Sequence, residues 1–299
     1  VTVLDNLSTG FREAVPAGVT LAQGDVADRT FVRGVLARGD FAAVMHFAGS
    51  ISVPESMQEP AKYYRNNTTA TLALAEACLE AGIANFIFSS TASVYGETDV
   101  CPCAEDAPTA PVSPYAASKL MSERMLADLE GTHPGFRAMR LRYFNVAGAD
   151  PQGRAGQRNP AAAGLVKLAV ETAVGKREIL EIFGDDYPTR DGTCERDYIH
   201  VSDLAAAHLA ALRHLESGGG GTVINLGYGR GYTVLEVVAA LERVLGRKLE
   251  TRRAPRRPGD PPRYYSDTTR LNATLDWRPV HDDLEEILRS ALAWAGALA

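Results

Sequence analysis

The chain has 299 residues, enough to bury the core of two lobes, and carries a formal net charge of −6 with a sequence pI near 5.6. That acidic balance gives no electrostatic case for nucleic acid or an anionic membrane as main partner. No apolar run approaches the ~20 residues needed to cross a bilayer, and no hydrophobic signal core follows the first residues, so no membrane association and a cytoplasmic location are expected.

From the start, short apolar runs alternate with helical periodicity. Strands are expected at 1–4, 19–21, 43–47, 85–89 and 138–143. Between them, helices are expected at 28–38 with Asp28 as N-cap, at 63–81 closed by Gly82, and at 114–129. This order predicts a doubly wound α/β domain on a parallel sheet. A Gly/Pro/polar stretch at 148–159 suggests a boundary, giving a first domain of 1–148 and a smaller mixed α/β domain of 149–299, with parts near 197–227 returning to the first. The second half predicts helices at 164–174, 202–216, 234–245 and 282–297, and strands at 198–201, 223–226 and 249–252. Gly227, Gly229 and Gly231 follow a late strand, so they read as a turn before a helix capped by Thr233 rather than as a phosphate cradle.

Asp5 closes the first strand, where a doubly wound fold can place an acid for a ribose hydroxyl; a plain strand-end turn accounts for it equally well. Asp25 stands in the same relation to the second strand. Tyr115 and Lys119 are four apart on a helix and share a face, and a nearby ammonium lowers a phenol's pKa toward that of a usable base. Tyr-x-x-x-Lys also arises by chance in helices, but here it lies downstream of a strand ending in Ser89-Ser90-Thr91 and ahead of Arg142-Tyr143-Phe144-Asn145. His46, His200 and His208 sit in or beside apolar elements without metal-ligand spacing, so no metal is expected. Cys78, Cys101, Cys103 and Cys194 read as plain thiols, and Glu105 and Asp106 as solvated loop carboxylates.

The segments His46-Phe47-Ala48-Gly49, Tyr63-Tyr64-Arg65-Asn66-Asn67, Phe86 to Gly96, Tyr115 to Lys119, Leu141 to Asn145, Phe183 to Thr189, Asp191-Gly192-Thr193, Arg196 to Val201 and Asn225-Leu226-Gly227 resemble the extended short-chain dehydrogenase/reductase family. Within it they are similar to the enzymes that invert a UDP-sugar at C4. The resemblance covers nearly the whole chain. It implies an NAD-binding Rossmann domain, a UDP-sugar-binding domain and a redox-neutral interconversion of UDP-glucose and UDP-galactose. Tyr115, Lys119 and Thr91 take the catalytic places. Asp5, Asn6, Asp25, Val26, Phe47, Ala48, Gly49, Asn66, Ser89 and Phe144, with Tyr115 and Lys119, fall where the family lines its cofactor. Ser93, Asn145, Phe183, Arg196, Tyr198, Arg257, Asp260 and Tyr264, with Thr91 and Tyr115, fall on the substrate side. Arg196 and Arg257 would meet the diphosphate, Asp260 the uridine ribose, and Tyr264 would shorten the sugar pocket against N-acetylated sugars. Relatives that dehydrate the sugar carry an Asp-Glu pair after the strand-end Thr; Ala92 and Ser93 stand there and cannot supply that acid and base. A homodimer through the helices near 63–81 and 115–129 is also implied.

The chain departs from this pattern at three places. Gly164 replaces an Asn or His that donates to the diphosphate, and Ile51 holds a cofactor-side position that is basic in some relatives; the context of Arg257 leaves its neighbours Arg252, Arg253 and Arg256 open between ligands and solvated surface. The family also has a strand, a glycine-rich turn and a helix ahead of the position of Val1, roughly 30 residues. A molecule beginning at Val1 is expected to show a break in the sheet before the His46 strand, to bind NAD poorly and to fold poorly; tight retention of NAD would contradict this. The alternatives are an epimerase of another UDP-sugar, or a non-catalytic nucleotide-sugar-binding fragment that takes UDP without NAD.

Overall fold

A computed structural model describes residues 1–159, 162–257 and 259–298. They form two compact units, one of Val1–Gly96, Thr109–Arg142 and Ala211–Ile224, the other of Glu97–Pro108, Tyr143–Ala210 and Asn225–Ala299.

In the first unit Thr2–Asp5 pairs in parallel with Thr20–Gln23, Thr2 opposite Thr20. A separate ladder runs in the order Val223–Leu226, Arg137–Tyr143, Asn85–Thr91, Ala43–His46. Among the described residues no ladder joins Thr2–Asp5 to Ala43–His46. Asn85–Thr91 is buried along its whole length, as a central parallel strand covered on both faces must be. Val32, Leu36, Leu74, Ala75, Cys78, Phe86, Phe88 and Leu126 fill the core beside it.

The helices start where local chemistry dictates. Asp28 accepts the Phe31 N–H ahead of Arg29–Leu36. Ser113 accepts the Ala116 N–H, and Pro114 opens Pro114–Thr132 at a position whose N–H would have no helical partner anyway. The helix expected over 63–81 contains a turn of different gauge: Pro60–Tyr63 is α, Tyr64–Thr69 is a wide π turn, and Ala70–Glu80 is α. Such turns concentrate at functional sites. The buried His46 stands behind this turn, its Nε2 2.9 Å from Thr71 Oγ1.

Burial, with the nearby Lys119 charge adding, lowers the His46 pKa to about 3. Below pH 6.5 the unfolded chain therefore takes up a proton that the native state refuses, and stability falls as pH drops from 6.5 toward 3. Denaturant midpoints are expected to fall more steeply between pH 6.5 and 4.5 in the wild type than in His46→Asn. Parallel pH profiles for the two would refute this.

In the second unit, Asn145–Ala147 pairs in parallel with Tyr198–His200, and Leu180–Phe183 with Thr251–Ala254. A third small sheet has Glu195–Arg196 between Tyr232–Thr233 and Arg263–Tyr264. Leu165–Ala173, Val234–Leu245 and Leu284–Ala297 pack a common core with Val170, Leu241 and Ile287 at its centre. Thr233 caps its helix as expected, exchanging reciprocal bonds with Glu236. The glycines before it form a turn around a buried carboxylate, Asp197, which accepts the Tyr228 and Gly229 N–H groups. A Cβ at Gly227 would lie 2.3 Å from Asp197 Oδ2, so only glycine passes there.

Candidate active site

Asp5 and Asp25 stand at the C-terminal ends of paired parallel strands. Asp5 Oδ1 accepts the Leu7 N–H at 2.6 Å, Asn6 Nδ2 donates to Asp25 Oδ2 at 2.9 Å, and Asp25 Oδ1 accepts the Ala27 N–H at 2.8 Å. The structure thus gathers Asp5, Asn6 and Asp25 into one polar rim, with Val26 partly buried beside them. A Cβ at Gly10 would come within 2.9 Å of the Asp5 carboxylate, so the chain after this strand folds closely over it.

The strand Asn85–Thr91 and the helix Pro114–Thr132 share one line of anchors. Tyr115, Lys119 and Glu123 project from the same helix face, one turn apart. Two of the three grip the strand end: Lys119 Nζ donates to the Ser89 carbonyl at 2.9 Å, and Glu123 accepts from Ser90 Oγ. Thr91 Oγ1 also accepts the Ser93 N–H at 3.2 Å, which brings Ser93 to the same point. The Tyr115 ring stands edge-on to Tyr63 at 6.3 Å, and Lys119 sits 4.9 Å from the Phe88 ring centre.

The expectation that Lys119 lowers the Tyr115 pKa needs correction. Burial removes solvation from a phenolate and raises the Tyr115 pKa, with only the Thr91 bond opposing it, while the Lys119 ammonium is committed to the Ser89 carbonyl. Lys119 itself is lowered to about 8 by burial.

Asn67, absent from the expected site, ties this region together. Its Oδ1 accepts the Ser50 N–H at 2.7 Å, its Nδ2 donates to the Ser50 carbonyl and to Ser118 Oγ, both at 3.0 Å, and its own carbonyl accepts from Thr71 and Ser122 hydroxyls. The neighbouring Asn66, which was expected, holds Ser50 Oγ at 2.9 Å. Ser50 follows Phe47, Ala48 and Gly49, of which Phe47 is exposed. A Cβ at Gly49 would lie 3.4 Å from Lys119 Nζ, so this loop reaches the lysine. The helical phase of the π turn, invisible in sequence, decides that Asn67 points inward.

The expected substrate residues of the second unit form a set of their own. Arg196 donates to the Pro261 carbonyl at 2.9 Å and to Asp260 at 3.2 Å, and it lies opposite Tyr264 in the ladder. Tyr264 packs on Phe144 with ring centres 5.6 Å apart, and the Arg257 guanidinium covers the Phe183 ring at 3.9 Å. Arg252 and Arg256 form exposed ion pairs with Glu181 and Asp186, both at 2.6 Å. Asn145 and Tyr198 face each other across their ladder and line a cavity of about 780 Å³ with Gly164 and Lys167, whereas Arg196, Arg257, Asp260 and Tyr264 are outside its lining.

Glu105 also departs from expectation: it is buried, accepts the Asn225 N–H at 2.8 Å and has its pKa raised by desolvation, so it is no solvated loop carboxylate. His200 and His208 are buried and bonded to Ser290 Oγ and to Tyr143 and the Leu204 carbonyl, respectively, which fits structural roles. Among the described residues no group of His, Cys, Asp and Glu could hold a metal, and no helix is long and apolar enough to cross a membrane.

The model of the NAD dependent epimerase/dehydratase family matches residues 1–227. The chain is 54% identical over 295 residues to a UDP-glucose 4-epimerase of Azospirillum brasilense, covering 99% of this chain and 84% of that protein. It superposes with a TM-score of 0.95 and 41% identity on the UDP-glucose 4-epimerase of Brucella ovis solved with NAD, covering 99% of this chain and 90% of that one. With the UDP-Glc/GlcNAc 4-epimerase of Campylobacter jejuni the TM-score is 0.86 and the identity 47%, over 98% and 91% of the two chains.

Proposed function

Because the chain belongs to the NAD dependent epimerase/dehydratase family, we propose that it interconverts UDP-glucose and UDP-galactose by transient oxidation at C4 of the sugar, with NAD as cofactor. The observation that carries this reading is Tyr115 and a buried Lys119 one turn apart on one helix face beside the strand end Ser89–Thr91, where Lys119 Nζ donates to the Ser89 carbonyl at 2.9 Å. The donor set fits the cofactor: the Asp5 carboxylate for the ribose hydroxyls of the adenosine half, the Asp25 carboxylate for the adenine edge, and Lys119 for the ribose of the other half, with the Gly49 loop passing close beside the lysine. Val26, Phe47, Ala48, Asn66, Ser89 and Phe144 complete that side. When bound, NAD supplies the acceptor and donor of hydride for C4.

Tyr115 takes the C4 hydroxyl proton as the sugar is oxidised and returns it as the sugar is reduced. Thr91 holds the same oxygen through its hydroxyl, and Ser93 keeps Thr91 oriented. Lys119, anchored on the Ser89 carbonyl beside the Gly49 loop, is the cation that holds the cofactor's ribose. Arg196 and Arg257 bind the diphosphate, Asp260 the uridine ribose, and Phe183, Tyr198 and Asn145 the remainder of the nucleotide sugar. On this reading residues 1–148 hold NAD and 149–299 the UDP-sugar, with parts near 197–227 returning to the first domain. The protein works in the cytoplasm, as its four free thiols favour. It pairs as a homodimer through the helices near 63–81 and 115–129, where the half-exposed Met121 would be covered; light scattering giving a monomer mass would remove the dimer.

With NAD supplied, incubation with UDP-glucose is expected to yield UDP-galactose, and the reverse, resolved by the anomeric proton signals. Absence of interconversion, with UDP still bound, would leave a nucleotide-sugar-binding protein instead. The similarity to the C. jejuni enzyme raises N-acetylated sugars as a second reading. Tyr264, buried against Phe144, fills volume that an acetamido group would need. Turnover of UDP-N-acetylglucosamine is therefore expected to be at least about tenfold below that of UDP-glucose. Equal rates would overturn the pocket assignment.

A further inference from the structure

Asp197 stands where the chain leaves one small sheet of the second unit for another, and the reaction above gives it no part. Arg196 before it pairs with Tyr264 and Tyr232, and Tyr198 after it pairs with Asn145. The Asp197 side chain is fully buried. Its Oδ1 accepts the Tyr228 N–H at 2.9 Å, and its Oδ2 accepts the Gly229 N–H at 3.0 Å, the Ser266 N–H at 3.2 Å and the Ser266 hydroxyl at 2.7 Å. The main chain adds two ties. The Asp197 carbonyl accepts the Asn145 N–H at 3.0 Å, and the Asp197 N–H donates to the Tyr264 carbonyl at 3.3 Å.

We propose that Asp197 is a positioning residue for UDP-sugar binding, its carboxylate holding Arg196 and Tyr198 in register with Asn145 and Tyr264. The proposal rests on the reading of those four residues as substrate ligands. A carboxylate withdrawn from water is destabilising unless hydrogen bonds replace its hydration, and here the replacement bonds all run to segments that carry or adjoin those ligands.

Ser266 transmits the grip. It lies two residues beyond Tyr264, in a segment that the Cys103 main chain also holds, through the Cys103 N–H to the Tyr265 carbonyl at 2.9 Å and the Asp267 N–H to the Cys103 carbonyl at 2.8 Å. Its Oγ further accepts the Gly229 N–H at 3.2 Å, so the glycine turn and the Tyr264 segment are tied to each other as well as to Asp197. The junction has no slack. A Cβ at Gly227 would lie 2.3 Å from Asp197 Oδ2 and 2.5 Å from Ser266 Oγ. A displacement at Asp197 is therefore passed to Arg196 and Tyr264 rather than absorbed. Asparagine cannot stand in, because whichever way its amide turns, its NH2 meets a main-chain N–H.

The test is calorimetric UDP affinity and steady-state epimerisation of the full chain supplied with NAD. Asp197→Asn is expected to weaken UDP binding and raise KM for UDP-glucose by at least about tenfold, with kcat within about threefold of wild type, because contacts shared by ground state and transition state show in KM. Ser266→Ala, which deletes one bond to the carboxylate, is expected to move both in the same direction by about threefold. Leu241→Ala, in the core of the same unit, is expected to lower the denaturant midpoint and leave UDP affinity unchanged. The proposal is overturned if folded Asp197→Asn binds UDP within about twofold of wild type, if it loses kcat alone, or if Leu241→Ala weakens UDP binding as much. Should Asp197→Asn not fold, an unchanged affinity in Ser266→Ala overturns it. A wild type that binds UDP but leaves UDP-glucose unconverted ends the epimerase reading, and the affinity comparison still decides the role of Asp197.

Discussion

Replacing Tyr115 by phenylalanine is expected to lower turnover of UDP-galactose by about 100- to 10,000-fold, the usual contribution of a placed proton donor and acceptor. The substitution removes one oxygen and keeps the ring that stands edge-on to Tyr63, so packing is preserved. Thr91 keeps its own acceptor, its Oγ1 donating to Ser93 Oγ at 3.2 Å, so no buried donor is stranded. UDP affinity, measured by calorimetry, is expected to change by less than about twofold, because Arg196, Arg257 and Asp260 lie elsewhere in the chain. The loss should fall on kcat. A variant that keeps activity within tenfold of wild type would remove Tyr115 from the reaction.

The second large effect concerns stability. Glu123 and Arg142 form a buried ion pair, each side chain 5% exposed, with Arg142 Nε and Nη2 reaching the carboxylate at 3.0 and 2.7 Å. The guanidinium lies 4.8 Å from the Tyr95 ring centre, and Ser90 adds its hydroxyl to the carboxylate. Glu123→Ala leaves the arginine charge buried and uncompensated, at an expected cost of about 3–5 kcal/mol in chemical denaturation. Glu123→Gln keeps the shape and should cost less. Because Glu123 is one turn from Lys119 and grips the residue before Thr91, the alanine variant should also lose turnover even where it remains folded. A loss below about 1 kcal/mol would show that the pair is not held as described.

Much of the fold could be read from period and punctuation. The caps at Asp28 and Thr233 and the strand Val223–Leu226 were all legible from their neighbours in sequence, whereas the reciprocal bond from Glu236 was seen only in the structure. Leu180–Phe183 went unread because it stands as a strand only by pairing with Thr251–Ala254, far along the chain. Glu105 looked like a loop carboxylate until Asn225 and the distant Arg270 were in place. In the site, spacing put Tyr115 and Lys119 on one face correctly, but spacing carries no information about desolvation, and desolvation sets the direction of the tyrosine's shift. Asn66 and Asn67 are adjacent and chemically identical, so only the phase of the wide turn could separate them.

The ladder order of the first unit has a bearing on how the protein is made. Val223–Leu226 is the last neighbour of Arg137–Tyr143, fastened by the Arg140 N–H to the Thr222 carbonyl at 2.9 Å and by the Gly221 N–H to Glu130 at 2.9 Å. During synthesis at roughly 5–20 residues per second, roughly 80 residues must leave the ribosome after Tyr143 before that neighbour is available. For several seconds the nascent chain therefore carries a bare strand edge, open to mispairing with other chains. A chaperone that shields the edge should raise soluble yield, and a gene fragment ending near residue 148 should give aggregate.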